Sequence, residues 1–335
     1  MAGIEQSVPL ESSLWLNNST TTVRDELEQV FRISSWLDFP FTVDEVAEYF
    51  LPGLNLTGDQ VKALFTDRAI DLPFTVRDRY LLTDISQSII SRVERKLFSA
   101  AKLESASKFA STLTRLVPWI EIVAVTGSVA YGSARKWDDI DLFIVTKRDR
   151  LWLSLSLALI LVRLGKLLRI QGTDLLPFCL SYVHDDLGFL QESFKSKFSP
   201  LFARELLKAQ PLVGIHRYKQ ILESNEWIKL VHKAAYTSKM SQLNDSESSN
   251  RGTVAHERLS FFLQWADGIA FVFLSGYLKI RSHITNTKLK SECQEFRVFD
   301  QVMNRHSCMY VSNLYRWLQQ LWSGQRQASC ARTVE

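Results

Sequence analysis

Apolar positions recur at two periods along this chain, and the places where the period changes mark its elements. Residues 1 to about 20 are polar, as a loose terminus is. From Thr22 onward, Val23, Leu27, Val30 and Phe31 fall at helical spacing, and Pro40 stops that pattern. Thr42-Val43-Asp44-Glu45 then reads as a capping box, in which the Thr hydroxyl and the Glu carboxylate satisfy exposed backbone donors. The helix it opens ends near Phe50, ahead of Pro52-Gly53. A second box, Thr57-Gly58-Asp59-Gln60, opens a helix carrying Val61, Leu64 and Phe65. Ile70 to Val76 and Tyr80 to Leu82 predict two short strands around Arg77-Asp78. From Ile85 to Leu116 the chain is helical, with no Gly or Pro, until Pro118 ends it.

Three helices followed by a two-stranded turn is the plan of a winged helix, and residues 22–83 are expected to form one. The helix from Asp59 to Asp67 would be its recognition helix. It carries acids as often as bases, whereas a helix tracking phosphates should be rich in Lys and Arg, so DNA binding is not expected.

The most specific stretch follows. Ile120 to Val125 is a β-rich run that stops at Thr126-Gly127. A short run of small residues and the basic loop Arg135-Lys136 come next, then a second strand, Asp139-Ile140-Asp141-Leu142-Phe143-Ile144-Val145. Gly127 permits a sharp turn and close approach of the backbone to a ligand. Ser128 and the amides after it stand at a helix start, where an anion such as a triphosphate is favoured. Side chains alternate along a strand, so Asp139 and Asp141 share one face while Ile140, Leu142 and Ile144 enter the core. Two adjacent carboxylates repel unless a cation lies between them, and hard oxygen ligands at that spacing suit Mg²⁺ or Mn²⁺ bridging to phosphate. Arg135 and Lys136 would neutralise the phosphate tail. Either motif alone is commonplace, a solvated strand end or an ordinary turn. Together, separated by ten residues and each closing or opening a hydrophobic strand, they point to one site.

This Gly-Ser, spacer, Asp-x-Asp arrangement resembles the defining motif of the DNA polymerase beta-like nucleotidyltransferase superfamily. More loosely, residues 25 to 230 resemble bacterial nucleotidyltransferase-domain proteins with a winged-helix-like segment ahead of the core. The similarity lies in Phe39-Pro40-Phe41-Thr42, Ile144-Val145-Thr146, Arg150-Leu151-Trp152-Leu153 and Cys179-Leu180-Ser181-Tyr182. The resemblance implies metal-dependent transfer of a nucleoside monophosphate from an NTP to an acceptor hydroxyl or phosphate. Asp139 and Asp141 would be catalytic and hold the metal; Gly127 and Ser128 would hold the β and γ phosphates, and Lys136 would stabilise the departing pyrophosphate. It also implies a third carboxylate on a later strand. The next strand, Pro177 to Val183, has no acid, and the expected position holds Ser181. Asp174, Asp185, Asp186, Glu192 and Glu205 flank it, with Asp185, just past the strand end, the first substitute. A plain turn acid is the competing reading for Asp185. The gap leaves a second function open, a non-catalytic module that binds nucleotide, protein or DNA.

Beyond that strand, residues 200 to 235 read as helices with Leu201, Phe202, Leu206, Leu207, Ile221, Trp227 and Leu230 in the core. Ser241 to Gly252 reads as a polar linker. Val254 to Arg281 and Glu292 to Ser323 read as aromatic-rich helices, whose Trp265, Phe271, Phe273 and Tyr277 are expected in a packed core. The expected fold is therefore α+β and helix-rich: a winged-helix-like domain (22–83), a small mixed-sheet nucleotidyltransferase core with its leading helix (84–200), and a helical C-terminal domain (201–323).

Composition changes this picture little. A low content of Gly (13) and Pro (8) in 335 residues agrees with a helix-rich protein, and a net charge of +4 is too slight to imply a polyanion partner. Four cysteines without CxxC spacing suggest reduced thiols and a cytoplasmic protein, and Cys293, His306 and Cys308 lack a fourth zinc ligand. The apolar run Leu151–Val162 is too short for a bilayer, and Gln264 and Asp267 interrupt Phe261–Ile280. No membrane association is expected.

Overall fold

The computed structural model describes residues 23–24, 27–35, 37–49, 56–66, 74–83, 89–167, 178–195, 199–246, 260–295, 298–313 and 315–317. The expectations for residues 1–20, 67–73, 168–177 (Asp174 included), 247–259 and 318–335 lie outside these. The chain divides into two compact units, Met1–Ile89 and Ile90–Glu335.

The first unit contains α1 (27–35), β1 (Phe41–Thr42), α2 (Val43–Tyr49), α3 (Gly58–Thr66), β2 (Thr75–Arg77) and β3 (Tyr80–Leu82). The strands form an antiparallel sheet in the order β1-β3-β2. Both capping boxes form as read. Thr42 N–H donates to Glu45 Oε2 at 2.9 Å, and Glu45 N–H returns to Thr42 Oγ1 at 3.2 Å. The same pair of bonds joins Thr57 and Gln60, at 2.8 and 3.2 Å. Arg79, in the β2–β3 turn, donates to Asp44 at 2.9 Å and to Asp59 at 2.8 Å, clipping the starts of α2 and α3 together. Hydrogen bonding from this guanidinium lowers the Asp44 pKa.

The second unit is built on a six-stranded mixed sheet in the order β7-β4-β5-β6-β9-β8. The long helix α4 (Ile89–Leu116) leads into β4 (Ile120–Thr126), the single turn α5 (Gly127–Ala130) and β5 (Ile140–Thr146). Helix α6 (Leu151–Leu167) then crosses over to β6 (Phe178–Asp185), which runs parallel to β5. Next come α7 (Asp186–Lys195), α8 (Pro200–Lys208) and β7 (Gln210–Val213), whose Gln210 pairs with Val125 at the edge of β4. Helices α9 (Ile215–Glu223), α10 (Trp227–Val231), α11 (Lys233–Ser246) and α12 (Ser260–Ser291) precede the hairpin β8 (Phe299–Asn304) and β9 (Ser307–Ser312).

Period-two alternation places β5 as expected. Ile140, Leu142 and Ile144 enter the main core with Phe109 and Leu113 of α4, Leu151, Trp152 and Leu155 of α6, and Leu278 of α12. The opposite face is covered too: Phe143 packs edge-on against Phe189 of α7, at 5.8 Å between ring centroids. Covering on both faces explains why β5 reads as an almost unbroken apolar run after Asp141.

The C-terminal region is helix-rich, with two departures from the sequence reading. Residues 299–312 are a β-hairpin rather than helix, and they complete the core sheet by pairing β9 with β6. The indole N–H of Trp152 is shared between the carbonyls of Asn304 and Arg305 in its turn, both at 3.1 Å, which fixes the hairpin to α6. Aromatic density had suggested a helix there, but FDQVMN and SCMYVS are β-prone segments joined by a turn. Ser241–Ser246, read as linker, is the last stretch of α11. Leu201, Phe202, Leu206, Leu207, Ile221 and Trp227 are buried as expected, whereas Leu230 is exposed, as are Trp265 and Phe273. Among the described residues no helix is long and apolar enough to cross a membrane.

Candidate active site

The Gly-Ser turn and the Asp-x-Asp strand meet. Thr126, the last residue of β4, pairs with Asp141 on β5, so the turn after Thr126 lies beside that carboxylate. Gly127 has φ +62°, and a Cβ on it would stand 2.2 Å from Asp141 Oδ2. Two separate constraints thus require Gly there: a left-handed backbone and a carboxylate in the space a side chain would take. Asp141 is half-buried on β5, while Asp139 precedes the strand and is exposed. Ser128 follows inside α5, and its carbonyl accepts from Ser133 N–H at 2.9 Å, curling the segment back on itself.

The basic loop before the acids is held from behind by α4, which sequence reading did not anticipate. Ser99 Oγ accepts from Ala134 N–H at 3.1 Å. Lys102 Nζ donates to the carbonyl of Arg135 at 2.6 Å and to that of Asp138. Within the loop, Arg135 N–H donates to Asp138 Oδ2 at 2.8 Å. Burial lowers the Lys102 pKa, opposed by the negative charges of Asp138 and Asp139. Its ammonium therefore lies within electrostatic reach of the catalytic candidates. Lys136 points outward and is exposed, next to an exposed Trp137 whose ring lies 6.0 Å from the Arg135 guanidinium carbon.

Helix α8 supplies a second wall. Tyr131, just after α5, donates its hydroxyl to Glu205 Oε1 at 2.8 Å. The Arg204 guanidinium carbon and the Lys208 ammonium sit 5.4 and 5.7 Å from the Tyr131 ring centre. Burial raises the pKa of Tyr182 on β6 well above the usual phenol value, and the charges of Glu205 and Asp141 raise it further. Tyr315 adds to this rise, and both carboxylates lie within electrostatic reach of Tyr182. Glu205 had been named only as one of several acids near β6; a lone Glu in an amphipathic helix carries no stronger signal.

The third-carboxylate expectations need correction. On the backbone, Asp141 stands opposite Cys179, and Phe143 opposite Tyr182. The register shifts between these two pairs, so Ser181 falls in an irregularity of the pairing rather than beside Asp141. Asp185, the first substitute, pairs with Thr146 at the far end of β5. Its carboxylate is fully buried and fully employed. Oδ1 accepts from Gly188 N–H at 2.9 Å, capping α7, and Oδ2 accepts from Asp149 N–H at 3.0 Å and from His306 Nδ1 at 2.8 Å. These are the contacts of a turn acid. Asp149, Asp185 and His306 do bring ligand atoms within 4.8 Å of one another. The 2.8 Å between His306 and Asp185 is nevertheless a hydrogen-bond length, and Asp185's oxygens are already taken by three N–H groups. As placed, the hydrogen bonds of the cluster tie the β8–β9 turn to the end of β6.

No curated protein and no solved structure matches this chain. Residues 106–212 match the family model described as a nucleotidyltransferase domain, a span that opens in α4, holds Gly127, Ser128, Asp139 and Asp141, and closes with β7 beside β4.

Proposed function

We propose that this domain transfers a nucleoside monophosphate from an NTP to an acceptor hydroxyl or phosphate, using Mg²⁺ or Mn²⁺. The observation that carries the reading is the meeting of the Gly127 turn with the Asp141 carboxylate, with Asp139 two residues earlier in the chain, inside the segment that matches the nucleotidyltransferase family. The donor set suits the metal: two carboxylates with hard oxygens, one of them set directly against the Gly127 turn. A bound ion would hold the triphosphate and disperse its charge. The chain's own residues would do the rest. Amides of the Gly127–Ser128 turn would receive phosphate oxygens, Lys136 would meet the departing pyrophosphate, and Lys102 would hold the loop in place. Chemistry of this kind rests mainly on positioning and charge stabilisation. Glu205, held next to α5 by the Tyr131 hydroxyl, is the acid assigned here as a third carboxylate.

A second reading, a module that binds nucleotide without turnover, is favoured by the absence of an acid on β6 opposite Asp141. One assay separates the two. Purified protein is incubated with each labelled NTP, Mg²⁺ or Mn²⁺, and cell extract. Labelled acceptor and released pyrophosphate are expected; metal-dependent binding of NTP with no product under any condition would establish the second reading instead.

For the first unit we propose a winged-helix-like module that does not bind DNA. Its would-be recognition helix α3 carries in its first turn Asp59, which is engaged by Arg79. Gel shifts with duplex DNA are expected to show no complex near the ~10⁻⁸ M typical of specific binders. Tight, salt-sensitive binding lost on deleting residues 22–83 would reverse this.

A further inference from the structure

Helix α12 has two apolar faces. One carries Asp267 and Leu278 inward: Asp267 Oδ1 accepts from Leu153 N–H at 2.8 Å, and Phe271 packs on Trp152 at 5.0 Å between ring centroids. The other is in solvent. Trp265 is 68% exposed, Phe273 76%, Ile280 66% and Ile284 63%, with Ile269 at 40%. At 3.6 residues per turn, these residues and Gly276 fall on one side of the helix. Isolated exposed hydrophobes are ordinary, but a continuous stripe of large ones along about five helical turns marks an interaction surface.

We propose that a second copy of this chain docks on this face, with the two α12 helices antiparallel about a two-fold axis. The stripe is self-complementary. Its positions 265, 269, 273, 276, 280 and 284 are spaced by four, four, three, four and four residues, a series identical in both directions. An isologous interface requires that symmetry. In the antiparallel register Trp265 meets the partner's Ile284, Ile269 meets the partner's Ile280, and Phe273 meets the partner's Gly276. The large residue at the centre thus faces the missing side chain, and a Cβ at Gly276 would touch nothing within 4 Å. A concavity of about 560 Å³ between Trp265, Ile269, Phe273 and Arg305 lies where the partner's Ile284 would seat.

Charge selects the same orientation. Residues 260–278 hold no Lys or Arg, whereas Lys279, Arg281, Lys288 and Lys290 crowd the second half. Parallel packing would oppose like charges. Antiparallel packing lays each basic half against the partner's aromatic half, where Asp267 is buried and paired with Arg305 and cations over rings are favourable. The area also suffices: with Phe262 (70% exposed), Val272 (65%) and Tyr277 (41%) flanking these positions, and ~150–250 Å² per aromatic side chain, the exposed face approaches the ~800 Å² per partner of a standard interface.

Sedimentation equilibrium of the full chain at tens of micromolar should give twice the 38.5 kDa chain mass. Ile269→Glu with Ile280→Glu should weaken self-association by about 100-fold or more and leave the melting temperature of the monomer unchanged, because both positions are open to solvent in one copy. With Cys293 and Cys330 replaced by Ser, Ile269→Cys/Ile280→Cys should form a disulfide-linked dimer that neither single Cys variant forms. A chain that remains monomeric overturns the proposal. Cross-linking by the single variants alone overturns it as well, since that is the parallel register. A monomer that binds phosphatidylserine vesicles through these residues overturns it in favour of a lipid surface.

Discussion

Replacing Asp139 and Asp141 together by Ala is expected to abolish metal-dependent NTP binding while leaving the melting temperature almost unchanged. The two halves of that expectation have separate causes. Asp139 is exposed and precedes β5, and Asp141 is only half-buried, so neither substitution opens a cavity in the core. Two neighbouring carboxylates also repel each other in the free protein, and removing both relieves that repulsion. Against this, the pair is the natural site for a cation bridging to phosphate, and Asp141 stands directly against the Gly127 turn. Calorimetric titration of Mg²⁺ and NTP into the folded double variant should show affinity reduced by about 100-fold or more, on the order of 3 kcal/mol. Single variants should fall between. Unchanged affinity in a folded double variant would remove the nucleotidyl-transfer reading and the metal assignment together.

That site was legible in the sequence because its parts are local. Strand alternation set the faces of β5, and a Gly-Ser turn at the end of a β-rich run needs no tertiary information to be noticed. Both capping boxes were legible for the same reason, as each is closed by residues three apart. What was not legible came from contacts between distant segments. Lys102 holds the Arg135–Asp138 loop across more than thirty residues, and in sequence it is one lysine among many on α4. The bulge that takes Ser181 out of register with Asp141 depends on how β6 lies on β5. The 299–312 hairpin was misread because aromatic residues suit helices and strands alike, and the sheet edge at β6 decided the outcome. Trp265 and Phe273 were assigned to a core on hydrophobicity alone; helical phase puts them opposite Asp267 and Leu278, the side that packs.

Asp185→Ala is the converse experiment, expected to cost stability and spare nucleotide binding. In the register of β5 and β6, Asp185 stands beside Thr146, five residues along the strand from Asp141. At ~3.3 Å per residue that is roughly 16 Å, beyond the reach of any ion held by Asp139 and Asp141. Its carboxylate binds Asp149 N–H, Gly188 N–H and His306 Nδ1, and it is fully buried. Alanine would leave those donors without an acceptor, and the start of α7 and the β8–β9 turn would lose their common anchor. A loss on the order of 3–5 kcal/mol is expected, which for a unit of this size lowers the melting temperature by roughly 10 °C. Asp185→Asn keeps one acceptor oxygen in the same shape and should recover part of that loss. Below the melting transition, both variants should bind Mg²⁺ and NTP as the parent does. The opposite pattern, an unchanged melting temperature with metal-dependent binding lost, would make Asp185 a ligand. Equally, Mn²⁺ or Zn²⁺ alone raising the parent's melting temperature, with the gain lost in both variants, would make Asp149, Asp185 and His306 a metal site rather than the hydrogen-bonded tie that their distances describe.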